Sequence, residues 1–134
     1  MGEGIKLPFR VGISPTLHIR GLIATEDIKK GTVIERCPAV VYKRDDEHVE
    51  KTIFSRYIFD WDDEHDSLVL GYGAVLNHSY NRNVEIDFDY GKKEVVFTTI
   101  QDVRSGEELF LNYNDDEPNP IDPKYLVPDK RLKN

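Results

Sequence analysis

The sequence is poor in cysteine, in net basic charge and in long apolar runs, and each shortage closes a class of function. Cys37 is the only cysteine, which excludes an internal disulfide framework and any structural zinc site built from several thiolates. His18, His48, His65 and His78 have no metal-ligand spacing, so no metal is expected. Eighteen Lys and Arg stand against 25 Asp and Glu, a formal net charge of −7. Phosphate binding draws on clustered basic side chains, so this balance argues against direct nucleic-acid binding and fits a basic partner. No apolar run approaches the roughly 20 residues of a membrane span, and Met1 to Lys6 lacks the apolar core of a secretory signal. The expectation is an intracellular protein, cytoplasmic or nuclear, with no membrane partner and not secreted. Gly71-x-Gly73 lacks the third glycine and the following lysine of a phosphate-cradling loop.

What is present suits a single domain over residues 1–134. Hydrophobic residues make up 39% of the chain, with seven Tyr, six Phe and one Trp, enough to fill one core at this length. Residues 16 to 42 read as strand, turn and strand, with Pro38 bending the second strand or placing it at an edge. Nine of the 25 acids lie between Asp45 and Asp66, where Val49, Ile53 and Tyr57 at i, i+4 and i+8 predict a short amphipathic helix from about Asp46. Leu68 to Leu76 carries no charge and is expected to be largely buried. Val84, Ile86, Phe88 and Tyr90 alternate with acids, the period of a half-buried strand, and Gly91-Lys92-Lys93 turns the chain into a partner strand at Glu94 to Ile100. Glu108 to Tyr113 is again strand-like. Four of the seven prolines fall in the tail, 116–134, which is expected to be extended. The pattern is mainly β, a β-rich α+β domain of short strands with little helix.

Two segments could carry chemistry. Asn77-His78-Ser79 ends the buried run. A His there could be a satisfied structural group, but a buried Asn amide must place two donors and an acceptor, and a polar ligand is one efficient partner. Tyr113 closes the last strand-like run. It could be an amphipathic core closer, or its hydroxyl could orient an amine while its ring contacts a cation. Glu107 and Glu108 do not form a glycosidase pair, because neighbours on a strand point to opposite faces. Cys37, next to Pro38 in an apolar strand, reads as structural.

Taken in order, three segments resemble the SET domain of protein-lysine methyltransferases. They are Arg20-Gly21-Leu22-Ile23-Ala24 with Asp27-Ile28-Lys29-Lys30-Gly31-Thr32-Val33-Ile34-Glu35, then Gly71 to Asn83 around Asn77-His78-Ser79, then Ser105-Gly106-Glu107-Glu108-Leu109-Phe110-Leu111-Asn112-Tyr113. The likeness covers about residues 16 to 115. It implies a β-clip-like fold of small curved sheets in which the Asn-His-Ser segment and the final strand pack as a pseudoknot. It implies S-adenosylmethionine as cofactor, held by Arg20, Gly21, Asn77 and His78 with Tyr72 close by, and Tyr113 as the catalytic residue. Tyr57, Tyr72 and Tyr113 correspond to the aromatic lining of a lysine channel.

The sequence departs from that pattern in places. Ile19 stands where the family has the first glycine of Gly-x-Gly, Tyr80 replaces a frequent Cys, and Arg82 a Pro. The zinc-binding cysteines of many relatives are absent, so the chain resembles the minimal, zinc-free SET proteins of bacteria and viruses. Its tail, through Tyr125, Leu126 and Val127, is then the candidate to close the channel, and a homodimer could help complete it. The implied reaction is methyl transfer to a lysine of a histone-like or other basic protein, drawn by the acids of residues 45–66 and Asp115, Asp116 and Glu117. Two other readings stay open from the residues: a SET-like module that binds peptide or cofactor without turnover, and a non-enzymatic β-clip domain.

Overall fold

In the computed structural model the described residues are 6–113; the tail, with Tyr125, Leu126, Val127 and the acids at 115–117, lies outside them. Among these described residues nine strands form two sheets: β1 (Phe9–Ile13), β2 (Arg20–Ala24), β3 (Val33–Lys43), β4 (Ile58–Asp60), β5 (His65–Val69), β6 (Asn77–His78), β7 (Val84–Asp89), β8 (Glu94–Thr99) and β9 (Glu108–Leu111). One sheet runs β1-β2-β9-β6 and the other β4-β5-β3-β8-β7. Phe97, Leu22, Leu76, Leu109, Val84, Val95 and Val103 fill the space between them, each almost fully buried. The mainly β expectation holds.

The β7–β8 hairpin follows its sequence pattern, with Val84↔Thr99 through Asp89↔Glu94 in register. Its turn needs one left-handed residue, and Lys93 takes it at φ 52°. Pro38 lies on a central strand without breaking it, because β3 changes partner there. Residues Val33 to Pro38 pair with β8 and residues Ala39 to Lys43 with β5. Each half has one bonded edge at that point, so the missing N–H costs no ladder bond.

Three expectations change. The helix from Asp46 is a single turn, α1 (Glu47–Glu50), followed by a 3-10 turn at Ile53–Arg56. Thr52 ends it: its hydroxyl donates to the Val49 carbonyl at 2.7 Å and accepts from the Phe54 N–H at 3.2 Å, and its backbone is extended. A side chain bonded to local backbone in this way competes with the helix. The uncharged run is only partly buried, with Leu70 58% and Tyr72 46% exposed. Leu17 to Ile19 is a turn, while β1 lies before the segment expected to open the fold.

The crossing that closes the fold is at β9. It pairs antiparallel with β2 and parallel with β6, through Asn77↔Phe110 and His78↔Leu111. Asn83 bonds the alternate backbone groups of β9 with its side chain and its own N–H. Its amide donates to the Glu108 carbonyl at 2.9 Å and accepts from the Phe110 N–H at 2.7 Å, while its own N–H reaches the Phe110 carbonyl at 3.3 Å. The chain from 77 to 83 thus wraps β9 as the expected pseudoknot. Asn83→Ala leaves a buried N–H and C=O without partners, each worth about 1–3 kcal/mol. Urea unfolding should show a loss of roughly 2–4 kcal/mol; a loss under about 0.5 kcal/mol would mean water replaces both bonds.

Candidate active site

Because β9 is central, it sets Gly21 on one side of Glu108 and Asn77 on the other. Glu108 is 6% exposed. Its carboxylate accepts from the Ser14 hydroxyl at 2.5 Å and from the Asn77 amide nitrogen at 2.9 Å. That amide nitrogen also donates to the Arg20 carbonyl at 3.0 Å. A side chain on Gly21 would put its Cβ 2.5 Å from Glu108 Oε2 and 2.7 Å from Asn77 Nδ2, so only glycine lets β2 close on the pair. Ser14 also accepts from the Leu17 N–H at 3.0 Å, and its backbone pairs with Ile19 and His18. The 14–19 loop is therefore tied to Glu108. Its left-handed residue is His18, at φ 60°, and Ile19 needs no glycine-only conformation.

Tyr113 is held at both ends by the residues flanking Asn77. Its hydroxyl donates to the Leu76 carbonyl, and its N–H donates to His78 Nδ1 at 3.0 Å. Burial of the hydroxyl, then Tyr57 and Glu108, pushes its ionisation well above the ordinary phenol range, so it is a hydrogen-bonding group and not a base. The His78 ring meets Tyr80 edge-on at 4.5 Å and Tyr113 at 5.3 Å. With Nδ1 accepting, the neutral ring carries its proton on Nε2, which is buried without a partner among the described residues.

Beside Tyr113 lies a cavity of about 80 Å³, walled by Tyr57, Ile58, Phe59, Leu76, Leu111 and Asn112 among others. It continues past Ile58, Phe59 and Tyr113 into an open groove of about 360 Å³ that, among the described residues, carries Asp45, Glu50, Asp60 and Asp66 against Arg44. Arg44 pairs with Asp66 at 3.1 Å and Asp60 at 3.7 Å. Burial raises the Asp66 carboxyl and Arg44 pulls it back.

The structure thus brings Arg20, Gly21, Asn77, His78 and Tyr113 together, and Tyr57 joins Tyr113 in the cavity. Tyr72 stands apart: its ring packs edge-on against Phe9 at 5.7 Å, and it is not part of the cavity wall. Ser14 and Glu108 escaped the sequence reading as site residues. The signal was present in Glu107-Glu108, since alternation on a strand turns one of two adjacent acids inward. Glu35 also escaped it. It accepts from the Tyr72 and Gly73 N–H groups and from the Cys37 thiol, whose ionisation burial raises to about 12. Buried and bonded in this way, Cys37 has the surroundings of a structural thiol. Among the described residues no cluster of His, Cys, Asp and Glu could hold a metal, and no helix is long and apolar enough to cross a membrane.

The SET domain profile matches residues 19–114, so the chain belongs to the SET domain family. Among curated relatives, the histone-lysine N-methyltransferase of Schizosaccharomyces pombe, specific for H3 lysine-37, is 29% identical over 98 residues, 72% of this chain and 67% of that protein. Histone-lysine N-methyltransferase EZH2 of Chaetomium thermophilum is 30% identical over 115 residues, 74% of this chain but 8% of that protein. Two solved structures share the fold. A Plasmodium falciparum protein described as a histone methyltransferase gives a TM-score of 0.64 at 25% identity, over 81% of this chain and 95% of that one. A humanized mutant of the Chaetomium thermophilum Polycomb Repressive Complex 2 gives 0.68 at 26%, over 86% of this chain and 16% of that one.

Burial pulls the His78 imidazole below its ordinary 6.5, so the folded chain resists a proton that the unfolded chain accepts. Its contribution to stability is level above about pH 6.5 and is lost as pH falls below that value, until the folded imidazole itself titrates. Thermal midpoints measured from pH 8 down to 5 should drop accordingly. His78→Asn, which keeps an acceptor near Nδ1 but does not titrate, should flatten the drop; an unchanged slope would assign the titration elsewhere.

Proposed function

We propose that the protein, a protein-lysine methyltransferase by its family and its relatives, transfers the methyl of S-adenosylmethionine to a lysine of a basic, histone-like protein, in an intracellular setting. The observation that carries this reading is Tyr113: a phenol kept protonated, bonded to the Leu76 carbonyl, at the junction of an apolar cavity and an acidic groove.

The residues present fit the cofactor. Gly21 brings the β2 backbone against Asn77 and Glu108, and the buried His78 Nε2 has no partner among the described residues. Arg20, Gly21, Asn77 and His78 would hold it, and when bound it supplies an electrophilic methyl on a sulfonium. The chain's own work is placement. A lysine of ordinary pKa about 10.4 is mostly charged near neutral pH. The walls of Tyr57, Ile58 and Phe59 strip water from it and favour the neutral amine. The Tyr113 hydroxyl oxygen and the Leu76 carbonyl lie together as acceptors for the amine N–H groups, which turns the nitrogen lone pair away from them and toward the donor. Such positioning lowers the barrier without a nucleophilic side chain. Among the described residues the groove is lined by four acids and Arg44, with Arg56 in the adjoining cavity, a balance that favours a substrate with positive charge around its lysine. A second copy of the chain and the tail 116–134 are the candidates to complete the channel.

Tyr113→Phe removes the hydroxyl and should lower kcat roughly a hundredfold, the scale of losing one preorganised hydrogen-bonding group, with cofactor affinity nearly unchanged. An unaltered rate in a methyl-transfer assay on histone-derived peptides would remove Tyr113 from the chemistry. Calorimetric titration should show S-adenosylmethionine binding that Asn77→Ala weakens. Absence of binding even with basic peptide present would favour a non-enzymatic module.

A further inference from the structure

Two carboxylates are buried among the described residues, and they are treated differently. Asp66 faces Arg44 at 3.1 Å. Glu108 faces no cation among the described residues; its two oxygens take the Ser14 hydroxyl and the Asn77 amide. The Ser14 hydroxyl bonds one oxygen and the Asn77 amide donates to the other, an arrangement that can satisfy an ionised carboxylate. A buried charge without a counter-charge costs the fold free energy that a cationic ligand can return.

Asn77 carries that charge toward the ligand side. Its amide nitrogen donates to both the Arg20 carbonyl and Glu108. This fixes the amide orientation, because a flip would set its oxygen against two acceptors. Both donors are therefore used, and Oδ1 is left as an acceptor with no bond among the described residues. An amide whose hydrogens are drawn to a carboxylate presents a more negative oxygen. Glu108 also contributes to keeping the nearby Tyr113 hydroxyl protonated, so its field reaches the reacting end of the site.

We propose that Glu108 is the buried counter-charge of the methyl-donor site, selecting a cationic ligand through Asn77 and favouring the sulfonium donor over its neutral thioether product. This rests on the methyltransferase reading of the same site. In the transfer, the amine lone pair forms the new N–C bond while the S–C pair stays on sulfur. The positive charge passes to the methylated amine, which then loses a proton to solvent. The ligand that leaves therefore carries one positive charge less than the ligand that entered, with the rest of its structure unchanged. A fixed negative charge beneath the site distinguishes the two and speeds turnover by weakening product retention.

The test is calorimetric titration of wild type and Glu108→Gln with S-adenosylmethionine and with S-adenosylhomocysteine. The ratio of their dissociation constants, charged over neutral, should rise roughly tenfold in the variant, the scale of one charge interaction in a partly screened site. The neutral ligand should change less. Equal weakening of both ligands would make Glu108 a strut only and overturn the proposal. Binding of neither ligand to the wild type would overturn the methyltransferase reading itself. If Glu108→Gln does not fold, carbon NMR of the Glu108 carboxyl in wild type decides the point: an ionised group at pH 7 is required, and a protonated one refutes it.

Discussion

Among the described residues the buried Glu108 carboxyl faces no cation and is held by neutral groups brought from elsewhere, and the molecule is organised around that requirement. Ser14 comes from the loop before β2 and Asn77 from the two-residue strand β6; Gly21 admits both by having no side chain. These groups are separated by up to 94 positions in sequence, and β9 is the strand that collects them. The loop geometry at 14–19, the parallel pairing of β6 with β9 and the placing of Tyr113 beyond the end of β9 all follow from that strand being threaded between its neighbours.

The same crossing divides the site by polarity. On one side of Asn77 the environment is negative and hydrogen-bonding. On the other, Leu76 and Tyr113 face Tyr57, Ile58 and Phe59 in an apolar cavity. Leu76-Asn77-His78 acts as a rail for both: the Leu76 carbonyl takes the Tyr113 hydroxyl, the Asn77 amide binds Glu108 and Arg20, and the His78 ring takes the Tyr113 N–H. A methyl transfer from a cationic donor to a neutral amine asks for this division, since one reactant must be welcomed with its charge and the other without it.

Much of this was legible in the sequence where pattern and position coincide. The alternation from Val84 to Tyr90 specified the hairpin, and three ordered motifs pointed to the SET fold and to Arg20, Gly21, Asn77, His78 and Tyr113. The misreadings have local causes. Val49, Ile53 and Tyr57 share a helical spacing, but Thr52 caps and ends the turn between them. Tyr72 lies within an apolar run, yet faces Phe9 and solvent. Ile19 breaks a glycine motif, and the left-handed residue of its loop is His18.

The sequence by itself determined the β-rich class, the acidic character and the residues able to orient an amine, because these depend on composition, on period and on short motifs. Tertiary structure alone decided that Glu108 and not Glu107 turns inward, that Asn77 is left with only an acceptor to offer, and that the apolar cavity opens onto the acidic groove at Tyr113. Each of those outcomes depends on which groups from distant segments meet across β9, and burial, not residue type, sets what a carboxylate, an amide or a phenol can then do.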